Sequence, residues 1–263
     1  ISTVTPLAGD GSTRTFYRAA IGEYSFVLLF DPEWKYSKDY SPIQTFLASK
    51  GLPVPNFFGG EMNPGFLLMQ DLGDVLLQHF IEKQPAQKMP WLKKAVVLLA
   101  ELHGKTYPVP EDLAVSERRF DTEKYFAELS YTEEHLCSGF LNLPPWEDGL
   151  KTSCRLFCEK IASALPDVFC HRDYHSRNLL VHDQKLWLVD FQYDLSSLIY
   201  DAYMPLTEEE RSQLVQEYRK ALTPYPLNKS MDWSLFDSVL MRVGFQRVIK
   251  AAGSFASFYT RFQ

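Results

Sequence analysis

His171-Arg172-Asp173-Tyr174-His175-Ser176-Arg177-Asn178-Leu179-Leu180, resumed at Leu186-Trp187-Leu188-Val189-Asp190-Phe191-Gln192, is the stretch on which the reading of this 263-residue chain turns. Leu179 to Val181 and Leu186 to Val189 are short apolar runs joined by the polar His182-Asp183-Gln184-Lys185, which predicts a small β-hairpin. Such a hairpin brings Asn178, just before its first strand, close to Asp190 at the end of its second. Asp173 stands five residues before Asn178, on the same loop. Two carboxylates and an amide oxygen gathered in this way suit a hard cation and a proton acceptor. Phosphoryl transfer asks for both: oxygen ligands that hold Mg²⁺ together with nucleotide phosphates, and a separate carboxylate that orients the attacking hydroxyl and takes its proton.

Outward from that stretch the two halves of the chain differ. Toward the N-terminus, Val4 to Leu7, Thr15-Phe16-Tyr17-Arg18 and Ser25-Phe26-Val27-Leu28-Leu29-Phe30 are rich in strand formers, with Gly22 at a hairpin turn. Ser41 followed by Pro42 reads as N-cap and first helical residue, Ile43, Phe46 and Leu47 give that helix an apolar face, and Gly51 ends it. Asn56-Phe57-Phe58 and Phe66-Leu67-Leu68-Met69 read as two further strands. After Gly73 the period becomes helical: Leu92, Ala95, Val96, Leu99 and Leu102 share one face. Thr207-Glu208-Glu209-Glu210 is a capping box before Leu214, Val215 and Tyr218, and a long apolar helix covers 235–258. The expected fold is therefore α+β and bilobal, a small β-rich N-lobe over 1–73 and a larger helical C-lobe over 74–263, with the switch at Gln70 to Gly73.

Bulk properties narrow the function classes. A net charge of −6 argues against a nucleic-acid partner, which calls for a basic face. No apolar run approaches the roughly 20 residues of a membrane span and no signal peptide opens the chain, so the expectation is a cytoplasmic protein without a membrane partner. Cys137, Cys154, Cys158 and Cys170 lack zinc-ligand spacing and read as inert thiols, Cys154 and Cys158 on one helical face. The chain begins at Ile1 rather than at a methionine, which points to processing or to a fragment.

The His-x-Asp-x-x-x-x-Asn motif of 171–178, followed by a hairpin and Asp190, resembles the signature of the aminoglycoside phosphotransferase and choline kinase superfamily, which shares the kinase-like bilobal fold. The resemblance implies that Asp173 is the catalytic base, that Asn178 and Asp190 hold Mg²⁺, and that His171 is a scaffold residue. Pro6 to Arg18 is similar to the opening of bacterial anomeric kinases of N-acetylmuramate and N-acetylglucosamine. In that group the turn Gly9-Asp10-Gly11-Ser12 plays the glycine-rich loop over the phosphates. Leu52-Pro53-Val54-Pro55, the hinge-like 65–73 and Gly244 to Ala256 resemble the same group. The implied enzyme is an ATP-dependent kinase with adenine between the lobes, against the backbone of Gln70, Asp71 and Leu72. Its substrate is a small molecule, an amino sugar phosphorylated on its anomeric hydroxyl in cell-wall recycling. The same fold acting on an aminoglycoside, choline or another amine, and a nucleotide-binding pseudokinase, stand as alternatives. A protein kinase is disfavoured because no Ala-Pro-Glu segment follows Asp190.

Two departures from the pattern stand out. The strand Phe26 to Phe30 lacks the phosphate-gripping lysine of many kinases, leaving Arg14, Arg18 or Lys35 as substitutes. Asp190-Phe191-Gln192 abuts Tyr193-Asp194-Leu195, where relatives place several loop residues, so a loop there and a tail after Gln263 are expected to lie outside this sequence. Asp194 reads as a helix-start residue that braces the catalytic loop, and His103 as a packed helix residue. His175 reads as a hydrogen-bonded loop residue or a substrate contact. Trp34, Tyr36 and Tyr40 form either a lid over a sugar or surface packing.

Overall fold

The computed structural model describes residues 3–7, 14–32, 39–61, 65–113, 120–164, 168–169, 174–189 and 195–261. Its contacts divide the chain into two compact units, one of residues 1–88, 112–114 and 177–190, the other of 89–111, 115–176 and 191–263.

In the first unit, β1 (Thr3–Pro6), β2 (Thr15–Ile21), β3 (Tyr24–Phe30), β4 (Phe57–Glu61) and β5 (Phe66–Gln70) form an antiparallel sheet in the order β1-β2-β3-β5-β4. Ile21 pairs with Tyr24, so β2 and β3 are joined by the two residues Gly22 and Glu23. Gly22 has φ of 62°, a left-handed conformation that glycine adopts without steric cost. Strand alternation buries Leu29, Leu67 and Met69 on one face, where Phe16, Val27, Tyr40 and Phe57 close over them. Tyr40 opens α1 (Tyr40–Ser49), whose N-cap is Asp39. The helix thus begins earlier than the Ser41-Pro42 reading. Pro42 falls in the first turn, where the N–H it lacks has no intrahelical partner to lose. Inside the unit, the Gln44 side chain donates to the Pro55 carbonyl at 3.0 Å. The Tyr40 ring lies 6.2 Å from that of Phe57. Tyr40 is therefore part of this core rather than a lid, and burial pushes its phenol well above the usual range. Trp34 and Tyr36 lie outside the described residues.

α2 (Leu77–Lys83) and the hairpin β6 (Leu179–His182) and β7 (Lys185–Leu188) complete this unit. His182 pairs with Lys185, which narrows the loop to Asp183 and Gln184, at φ of 49° and 59°. Positive φ at both positions is the twist that a two-residue hairpin needs.

The second unit is helical: α3 (Lys88–Thr106), α4 (Thr122–Thr132), α5 (Asp148–Ala162), α6 (Leu195–Ile199), α7 (Glu208–Leu222), α8 (Leu227–Ser230) and α9 (Phe236–Arg261). The predicted stripe Leu92, Ala95, Val96, Leu99 and Leu102 is buried along α3. The capping box forms as read: the Thr207 side chain accepts from the Glu210 N–H while the Glu210 side chain accepts from the Thr207 N–H. Tyr125 and Leu129 of α4, Cys158 and Ile161 of α5, and Val239 and Val243 of α9 form a common core. His103 is buried, with Nδ1 at 2.7 Å from the Tyr218 hydroxyl, in accord with a packed helix residue. Among the described residues no helix is long and apolar enough to cross a membrane.

Candidate active site

The segment that follows Asp173 is pinned at two points. Tyr174 is fully buried and its hydroxyl donates to the Ala95 carbonyl of α3 at 2.6 Å. Ser176 is also buried, and its N–H donates to Asp201 Oδ2 at 2.9 Å. The other oxygen, Oδ1, accepts from the Tyr203 N–H at 2.8 Å. Asp201 is only 6% exposed, so two backbone donors compensate a carboxylate that would otherwise be costly to bury. Between the two anchors, the His175 ring faces that of Tyr203 at 5.6 Å.

Asn178 stands half-buried immediately before β6. Leu179 pairs with Leu188, so the same register sets Asn178 opposite Val189, the residue that precedes Asp190 in sequence. The hairpin is locked within its unit from both sides. Val181 N–H donates to the Val75 carbonyl at 2.7 Å, Leu188 N–H to the Pro53 carbonyl at 2.9 Å, and Leu76 bridges Leu180. An amide oxygen held there suits a hard cation, which prefers oxygen ligands and keeps few protein contacts. Among the described residues no three His, Cys, Asp or Glu side chains gather into a closed metal cluster.

At the end of β5, Gln70 is tied twice to Asn56: its N–H donates to the Asn56 carbonyl at 2.8 Å and its Oε1 accepts from the Asn56 N–H at 3.1 Å. Leu72 is buried. Between them Asp71 accepts from Arg18 Nε at 2.6 Å, from Arg18 Nη2 at 3.0 Å and from the Gly73 N–H at 2.9 Å. Arg18 also donates from Nη1 and Nη2 to Asp74, at 2.8 and 2.7 Å. One guanidinium on β2 therefore grips both acids that flank the turn at Gly73, whose φ of 76° favours glycine. Burial pushes the Asp71 carboxyl up, but the Arg18 hydrogen bonds, with those from Gly73 and Ser25, outweigh it and hold the group below the usual carboxylate range. Hydrogen bonds from Arg18 likewise depress Asp74, and the two acids keep Arg18 charged. Arg18 thus directs its guanidinium to the β5 turn.

Among the sequence-predicted residues, Gln70, Asp71, Leu72 and Asn178 are placed as above. Gly9, Asp10, Gly11, Ser12, Asp173 and Asp190 lie outside the described residues, as do His171, Lys35 and Asp194. Two features escaped the sequence reading. Asp201 braces the segment after Asp173 and carries no motif of its own. The Arg18 clamp joins β2 to acids 53 and 56 residues further along, beyond any local pattern.

One unit with an antiparallel sheet and the hairpin that carries Asn178, and a helical unit that pins the loop after Asp173, give a kinase-like α+β fold. The model of the phosphotransferase enzyme family (APH) matches residues 3–227, and the chain belongs to that family. It is an ATP-dependent kinase. The N-acetylmuramate/N-acetylglucosamine kinase of Pseudomonas aeruginosa is 27% identical over 264 residues, 95% of this chain and 75% of that protein. The choline kinase LicA from Streptococcus pneumoniae superposes with a TM-score of 0.59 at 15% identity, over 98% of this chain and 93% of that one. The ADP-bound aminoglycoside phosphotransferase APH(2'')-Ib gives 0.58 at 13% identity, over 98% and 95%. These solved structures are alike in fold.

Proposed function

We propose that the protein transfers the γ-phosphate of ATP to the anomeric hydroxyl of N-acetylmuramate or N-acetylglucosamine. The observation that carries the choice of acceptor is the similarity, over 95% of the chain, to a relative of that description. In this reading residues 1–73 form the nucleotide-binding lobe and 74–263 the catalytic and acceptor-binding lobe. The backbone of Gln70, Asp71 and Leu72 meets the adenine, and Gly9, Asp10, Gly11 and Ser12 cover the phosphates. The Arg18 clamp supports this by holding the Gln70 to Asp74 turn in one shape before nucleotide arrives, so that ordering it does not weaken binding.

Asp173 accepts the proton of the sugar hydroxyl as its oxygen forms a bond to the γ-phosphorus. The bond from that phosphorus to the β,γ-bridging oxygen breaks, and ADP leaves with the electron pair. Asn178 and Asp190 would hold Mg²⁺, whose charge offsets that of the phosphates. The anchors Tyr174–Ala95 and Ser176–Asp201 support the base by fixing the chain that follows it, since a displacement of about 1 Å in a reacting group costs on the order of a hundredfold in rate.

The test is transfer from Mg·ATP to N-acetylmuramate, N-acetylglucosamine, kanamycin and choline, with Asp173→Asn as control. Turnover on the amino sugars that collapses in Asp173→Asn, with ATP still bound, is the expected result. Turnover on kanamycin or choline alone overturns the choice of acceptor. Binding of ATP with no turnover on any of the four overturns the reading altogether.

A further inference from the structure

We infer that Tyr203 and Phe255 form an aromatic corner that serves as the platform for the acceptor sugar, its apolar pyranose face on the Phe255 ring and its rim against Tyr203. The inference rests on the amino-sugar reading above and adds the residues that would recognise the ring. Both side chains are large aromatics that stay partly exposed, Tyr203 at 36% and Phe255 at 49%. They are nevertheless ordered against each other, centroids 6.1 Å apart and planes at 87°, the edge-to-face arrangement that aromatic quadrupoles favour.

The platform is joined to the catalytic loop twice. The His175 ring, two residues after Asp173, packs on Tyr203 at 5.6 Å. The buried Asp201 carboxylate accepts at once from Ser176 of the loop and from Tyr203 of the platform. Loop and platform therefore share one rigid support, which positions an acceptor relative to a base. On α9 the turn before Phe255 carries Ala251 and Ala252. A helical side chain leans toward its own N-terminal turn, so Phe255 lies over small neighbours and its face stays flat.

The chemistry selects among acceptors. A pyranose face carries C–H groups of slight positive charge that sit well on a negative aromatic face. A cationic amine would also take an aromatic face, but it calls for negative charge nearby. Here the Asp201 carboxylate is already held by two N–H donors. From Val239 to Thr260, α9 carries Arg242, Arg247 and Lys250 and no acidic residue. A neutral or anionic amino sugar fits this surface better than an aminoglycoside or choline.

Steady-state kinetics on the full chain with Mg·ATP and N-acetylglucosamine test the assignment. Tyr203→Ala and Phe255→Ala are each expected to raise the sugar KM about tenfold while the ATP KM stays within about twofold. Tyr203→Phe, which keeps the ring, should stay near the parent. Phe255→Leu, which keeps apolar bulk without a face, should behave as Phe255→Ala, so these two variants decide the matter if either alanine variant fails to bind ATP. Sugar KM values unchanged in a chain that still phosphorylates amino sugars overturn the platform alone. Equal rises in the KM for sugar and for ATP also overturn it, because they signal a general structural effect. A parent that phosphorylates no amino sugar overturns the acceptor reading and the platform with it.

Discussion

Arg18 offers the sharpest energetic test of the first unit. Replacing it with Met keeps the apolar stem and removes four hydrogen bonds to two carboxylates. The two partners differ in environment: the Asp71 side chain is 5% exposed and that of Asp74 is 69% exposed. The exposed pair contributes under about 1 kcal/mol, because water screens it. The Asp71 pair matters more, since Arg18→Met strands a nearly buried charge. Breaking a buried pair costs about 3–5 kcal/mol, but Asp71 keeps its bond from Gly73 and Arg18 itself is 26% exposed, so the expected loss is about 2–3 kcal/mol. For a chain of this length the thermal midpoint should fall by about 5 °C or more.

The sign of the pH response follows from the depressed carboxyl. In the parent, the stability that Asp71 contributes is present above its unfolded-state pKa of about 4 and is lost as pH falls through its lower folded value. In Arg18→Met the push from burial loses its main opponent, so protonation relieves the stranded charge. The deficit of the variant should therefore be largest at pH 7 and narrow toward pH 4. Urea titrations followed by circular dichroism at both pH values, with Asp74→Ala for comparison, measure it. An Arg18→Met deficit no larger than that of Asp74→Ala, or one that widens on acidification, would refute the clamp.

Other consequences can be measured directly. Asp201→Asn presents an NH₂ group to one of two N–H donors, so kcat is expected to drop about tenfold or more with the ATP KM unchanged; an unaltered kcat removes Asp201 from loop positioning. A Cβ added at Gly104 on α3 would overlap the Tyr225 ring, so Gly104→Ala should destabilise by about 1–3 kcal/mol, and a neutral result in urea titration would show that the ring yields freely. Cys158 is fully buried and burial raises its thiol to about 11. In mass-spectrometric mapping of iodoacetamide labelling at pH 7.5 it should lag far behind the half-buried Cys137, and parity would contradict its packing.

Much of the fold was written in local patterns. The hairpin of β6 and β7 announced itself through two apolar runs around a polar break, and the structure moved only its turn, to Asp183 and Gln184. The capping box at Thr207 and the stripe along α3 were legible for the same reason, since partners three or four residues apart are brought together by the helix itself. The start of α1 misled because Pro42 is tolerated at several first-turn positions, and the side chain of the actual N-cap, Asp39, makes no capping bond.

The reading of the candidate site rests on spacing that is equally local: Asp173, Asn178 and Asp190 fall within one predicted loop and hairpin, and of the three the structure describes Asn178. What the tertiary structure decided is how the neighbouring segments are anchored. Tyr174 meets Ala95 across 79 residues, Ser176 meets Asp201 across 25, and Arg18 meets Asp71 across 53. Such partners share no backbone periodicity, and any aspartate or arginine in a sequence could belong to the surface. Only the packing that buries Asp201 and Asp71 makes their hydrogen bonds obligatory, because a carboxylate taken out of water must find donors wherever the chain has brought them.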